Sequence, residues 1–106
     1  MNEPTIPKIK KAVADGFQVS VEQIDGRSRK QPISLARQTF YYYVRKIFRL
    51  PYMEMERRFE RDHRTFIWAV QAIGDRRECD FHTKTVIEEL ESEFPWLRGE
   101  EVEVKA

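Results

Sequence analysis

Apolar positions recur at three- and four-residue steps along most of this 106-residue chain, the period of helices that bury one face. Ile6, Ile9, Val13 and Phe17 mark the first such face and predict a helix over 7–14, with Gly16 as its stop. In "VSVEQI", Ser20 and Gln23 stand three apart, the spacing of a capping box for a short helical turn. "DGRSRKQP" contains Gly and Pro and no apolar residue, and reads as a basic loop. Ala36, Phe40, Tyr43 and Ile47 then predict a long core helix over 33–48, with Ser34 near its start. Arg37, Tyr41 and Arg45 form another stripe of that helix; Tyr43 is assigned to the core and Tyr41 to the rim. Pro51 ends the element, and Met55 with Phe59 predicts a short helix after it. Phe66, Ala69, Val70 and Ile73 form the buried stripe of the next helix. Val86, Leu90 and Phe94 form the seam of the last, with Asp80 as its cap. The expected fold class is all-α, one compact helical bundle over 1–96, followed by an acidic, flexible tail over 97–106.

Length and composition narrow the setting. At 106 residues a single core suffices without metals or disulfides. Cys79 has no partner in the chain, which points to a reducing, cytoplasmic setting and to a small buried or half-buried thiol. No apolar run approaches the roughly 18 residues that span a bilayer, and "MNEPTIPKIKK" lacks the apolar centre of a signal peptide. A soluble, unprocessed protein with no membrane partner is expected.

The net charge of +1 hides a segregation. Residues 27–77 carry thirteen basic and five acidic side chains, whereas 78–106 carry three and nine. The middle segment therefore suits a polyanion, and the acidic C-terminal part suits solubility, competition or a protein partner. Four of those thirteen basic side chains stand in "RRFERDHR", at the mouth of the helix marked by Phe66. A short helix, a turn and a second helix with a polar first turn is the order of a helix-turn-helix, whose second helix enters the major groove N-terminus first. Its free backbone N–H groups suit a phosphate or a base acceptor, and Asp62 also suits the N-cap.

These residues resemble the C-terminal duplex-binding domain of the bacterial replication initiator family, DnaA. The similarity runs from about Ile6 to Phe94, through "VADGFQVSVEQIDGRSRKQPISLARQ" and above all "RDHRTF", which is similar to the family's "RDHTTV" signature. The resemblance implies a Trp-repressor-like helical domain that recognises short boxes of double-stranded DNA, with the basic loop in the minor groove. It implies that Arg29 enters the minor groove and that Asp62, His63 and Arg64 face base edges in the major groove. Arg37, Arg45, Arg61 and Thr65 would meet the backbone or the groove rim. An arginine senses the potential of a narrow minor groove, and an aspartate accepts from cytosine N4.

The chain also departs from the family. A Gly-Gly pair before the signature is replaced by Glu60 alone, so the turn is one residue shorter and lacks its permissive residues. An Ile-Gly pair in the preceding helix is replaced by Met55 and Glu56. The first signature threonine is Arg64, which can meet guanine O6 and N7 together, so the preferred box is expected to differ from the initiator's.

No G-x-x-x-x-G-K-[ST] loop is present, so no nucleotide, cofactor or ATPase activity is expected. The expected role is sequence-specific binding in the control of replication initiation, in the nucleoid-associated cytoplasm. A transcriptional regulator remains open, as does a degenerate copy that binds a protein. An enzyme is disfavoured: Asp62 and His63 are adjacent on a helix and diverge, and Cys79 with His82 supplies two metal ligands of the usual four. His82 is expected on the surface at a helix start. Trp68 lies off the buried stripe, and is either a side-of-core residue packed on a neighbouring helix or a residue near the DNA.

Overall fold

Thr5 opens the first helix by accepting from the Lys8 N–H at 3.3 Å, with Pro7 in the first turn where its missing donor costs nothing. The computed structural model describes residues 4–98. They form α1 (Ile6–Phe17), α2 (Val21–Asp25), α3 (Ile33–Phe48), α4 (Tyr52–Phe59), α5 (His63–Cys79) and α6 (Phe81–Glu93), then one 3-10 turn at Pro95–Arg98. The all-α bundle expected from the periodicity is the observed fold.

Gly16 does not stop α1, which runs on to Phe17 and ends in the left-handed Gln18 at φ 60°. The glycine serves packing instead. A Cβ there would lie 2.6 Å from Leu90 Cδ2, so only the bare backbone lets α1 approach α6 this closely. Ser20 and Gln23 do form the expected capping box of α2, at 3.0 and 2.9 Å. On α3 the side-chain carbonyl of Gln31, not Ser34, accepts from the first turn, at the Leu35 N–H.

α3 runs through the core with Leu35, Ala36, Phe40, Tyr43 and Val44 buried, while Ile47 is half-buried. Tyr41, expected at the rim, is buried. Its ring packs against Phe66 and Phe59 at 4.7 and 5.6 Å between centroids, so the second stripe of α3 is covered by α4 and α5. Phe66, Ala69 and Ile73 of α5 face the core as expected, with Val70 half-buried.

The seam of α6 is rotated from the expected one: Thr83, Ile87, Leu90 and Glu91 are buried, and Val86 and Phe94 only partly. The contacts of Leu90 with Gly16 and of Glu91 with the Tyr43 hydroxyl, at 2.7 Å, set that rotation. Burial, then the Glu91 carboxylate, pushes the Tyr43 phenol well above its usual range. Cys79, expected to be at least half-buried, is exposed, because α5 ends there and turns its last residue to solvent. Leu97, one residue past the expected domain boundary at 96, is fully buried. The remainder of the expected acidic tail, 99–106, lies outside the described residues. No helix among the described residues is long and apolar enough to cross a membrane.

Candidate nucleic-acid interface

The turn between α4 and α5 closes on Glu60, whose backbone is left-handed at φ 58° and whose N–H donates to the Glu56 carbonyl at 2.8 Å. A glutamate thus occupies a conformation that glycine adopts freely. Arg61 follows and reaches back across the bundle. Its Nη2 donates to the Asp25 and Gly26 carbonyls at 3.0 and 2.8 Å, and its guanidinium also meets the Tyr41 hydroxyl.

Asp62 is the N-cap of α5, accepting from the Arg64 N–H at 2.8 Å. The same carboxylate is gripped by the Arg64 fork, with Nε and Nη2 at 3.1 and 3.2 Å. That side-chain bond first, and the backbone bond second, hold the exposed Asp62 carboxyl at about 2. His63 is turned the other way. Its backbone N–H donates to Glu56 Oε1 at 2.8 Å, and its Nδ1 lies 2.9 Å from the same oxygen. Glu56, Asp62 and His63 bring three donor atoms within 4.8 Å of one another, and these three side chains could hold a metal ion. They number one fewer than a structural zinc takes, and Glu56 and Asp62 already accept N–H bonds at the helix start.

Beside this helix start, α2 and the loop after it present Arg27, Arg29 and Lys30, all exposed and, among the described residues, without a protein acceptor. Ser28 stiffens the loop by accepting from the Lys30 N–H at 3.1 Å. Arg27, Arg29, Arg37, Arg61, Thr65 and Trp68 line one open cleft of about 330 Å³. The loop and α5 therefore share a cationic face.

Of the side chains expected to contact DNA, Arg29, Arg37, Arg61 and Thr65 meet at this cleft, whereas Asp62, His63 and Arg64, at the start of α5, are not among its lining residues. Arg37 is 8% exposed. Its Nε, Nη1 and Nη2 donate to the carbonyls of Ile24, Ser28 and Gln23 at 2.7, 2.7 and 2.9 Å, so the group expected at the groove rim is committed inside the protein. Burial is the largest influence on it and lowers its pKa. Arg45 is not among the residues of the cleft. It donates to the Leu50 carbonyl and stacks over the Tyr52 ring at 4.5 Å. The packed-on-a-neighbour alternative for Trp68 fails: the side chain is 64% exposed. It stands one turn beyond Arg64 and in the cleft.

Residues 6–73 match the model of the bacterial DnaA protein helix-turn-helix. The chain belongs to this family. Among its relatives is the chromosomal replication initiator protein DnaA of Desulfotalea psychrophila, 42% identical over 72 residues that make up 68% of this chain and 15% of the initiator. The DnaA of Oenococcus oeni is 33% identical over 91 residues, covering 85% and 20%, and that of Thermus thermophilus 32% over 84 residues, covering 78% and 19%. The chain thus spans 15–20% of the length of these initiators. A DnaA helix-turn-helix is a DNA-binding, non-catalytic domain. Within this one, sequence reasoning missed Arg27 and left Glu56 without a role. Arg27 was legible as part of the basic loop; the approach of Glu56 to His63 depends on the angle between α4 and α5, which no local pattern carries.

Proposed function

We propose that this DnaA-type domain binds double-stranded DNA sequence-specifically, in replication initiation or its control, with the start of α5 in the major groove and the basic loop in the minor groove. The observation that carries this reading is the shared face: Arg27 and Arg29 line the same cleft as Thr65 and Trp68 of α5. A helix seated in one groove and a loop reaching the next need that arrangement, with the phosphate backbone passing between them.

In this reading Arg29 enters the minor groove, His63 and Arg64 face base edges, and Arg27, Lys30 and Thr65 meet phosphates. Arg64 must leave Asp62 to do so, which frees the carboxylate to accept from a cytosine amino group. Arg37, Arg45 and Arg61 act by holding the loop and the helix ends rather than by direct contact, since each already donates to backbone carbonyls. Trp68 packs on the sugar-phosphate ridge at the cleft. The domain works on chromosomal DNA in the cytoplasm and hydrolyses no nucleotide itself.

Selection of bound duplexes from a random pool, followed by a salt titration on the recovered box, tests the proposal. With about four to five phosphates neutralised, log K should fall with log[salt] at a slope of about −4. Recovery of no common sequence, or a slope near zero, overturns it. A rival reading as a protein-interaction module draws on Glu88, Glu89 and Glu93, which α6 exposes to solvent, and expects no retention on heparin.

A further inference from the structure

We propose that Glu56 decides what His63 reads: held through Nδ1–H, the neutral imidazole offers a bare Nε2 to the groove and accepts from a base amino group, adenine N6 or cytosine N4. The inference rests on the duplex reading above and deepens it.

An ionised carboxylate only accepts hydrogen bonds. Glu56 Oε1 lies 2.9 Å from His63 Nδ1, and the other charged group paired with that nitrogen among the described residues, Asp62 Oδ1 at 3.7 Å, is also an acceptor. The ring proton therefore belongs on Nδ1, and in the neutral ring Nε2 keeps its lone pair. Glu56 Oε1 also takes the His63 backbone N–H at 2.8 Å, which holds the carboxylate where the ring meets it.

Glu56 is the carboxylate of α4 placed for this. Glu54, its neighbour, pairs with Arg57 and Arg58 instead. A residue without a side chain at position 56 would leave the tautomer open, and His63 could then present either a donor or a lone pair to a base. Glu56 is thus a positioning residue that converts an ambiguous histidine into an acceptor. Partners of fitting chemistry in the major groove are the exocyclic amino groups, not guanine O6 or thymine O4.

The test has two arms, both on the full chain at about pH 8, above the ordinary imidazole range. Long-range proton–nitrogen NMR of the free protein should show Nδ1 protonated and Nε2 bare in the parent and in Glu56→Gln, whose carbonyl still accepts. Glu56→Ala should move the population toward Nε2–H. In the second arm, duplexes of the selected box carry purine for adenine, or 2-pyrimidinone for cytosine, at the base pair to which His63→Ala becomes indifferent. Loss of the amino group should weaken the parent and Glu56→Gln about ten-fold and Glu56→Ala by less than about two-fold.

A parent with Nε2–H, or a parent indifferent to the amino deletion while His63→Ala still loses affinity, overturns the inference and leaves the duplex reading standing. A parent that binds no duplex at about 50 mM salt sinks the duplex reading, and this inference with it.

Discussion

Arg61 Nη2 donates to the Gly26 carbonyl at 2.8 Å, across 35 residues of sequence, and so fastens the turn before α5 to the start of the basic loop. Arg37 grips the same segment from α3, through the carbonyls of Gln23, Ile24 and Ser28. The Gln23, Ile24 and Asp25 carbonyls lie at the negative end of the α2 dipole, and among the described residues only that of Gln23 also takes a backbone N–H, from Gly26 at 3.2 Å, so two guanidinium groups are suited to them. These bonds tie the loop to α3 and to the turn before α5.

That arrangement separates two arginines of like appearance. Arg37→Ala should lower stability by about 2–4 kcal/mol, because three carbonyls lose a charged donor, one of them at a buried contact. Arg29→Ala should change stability by less than about 0.5 kcal/mol and weaken duplex binding instead. Urea unfolding midpoints beside binding isotherms check both; an Arg37 variant as stable as the parent contradicts the holding role.

Glu60→Gly should stabilise the domain by about 0.5–1 kcal/mol. The left-handed backbone at φ 58° strains a glutamate and not a glycine, and the exposed side chain has no hydrogen bond or ion pair to lose among the described residues. Differential scanning calorimetry should show Tm raised by a few degrees. A lowered Tm would mean that the shortened turn depends on the glutamate itself.

Gly16→Ala should destabilise by about 1–2 kcal/mol, although alanine ordinarily favours a helix by about 1 kcal/mol. The new methyl meets Leu90 at 2.6 Å, and Leu90 is buried and has little room to yield. In a Leu90→Val background the loss should shrink, which a double-mutant cycle would register as coupling between the two sites.

Acid should loosen the start of α5. The Asp62 carboxyl is held at about 2 against an ordinary 3.8, chiefly by the Arg64 side chain and next by the Arg64 N–H. A lowered folded-state value contributes stability above the ordinary one, and that contribution is lost as pH falls from about 4 towards 2. Carbon-detected NMR should place the Asp62 midpoint near 2, and Arg64→Ala should return it towards 3.8. A midpoint unmoved by that variant would show that the fork does not form in solution.

The helices were legible in the sequence because each repeats a local rule: apolar residues every three or four positions, Ser20 with Gln23 at a capping distance, Asp62 ahead of a polar first turn. So was the family, since "RDHRTF" and the basic loop are contiguous strings. The rotation of α6, the burial of Tyr41 and the purpose of Gly16 were not, because each depends on which neighbour covers a face rather than on the face itself. The same limit explains the arginines. By composition Arg29, Arg37, Arg45 and Arg61 are four equivalent cations, and only the tertiary structure decides that three of them find carbonyls within reach while Arg29 is left facing solvent. A guanidinium takes the nearest acceptor that the fold brings to it, and that acceptor lies far away along the chain for Arg37 and Arg61.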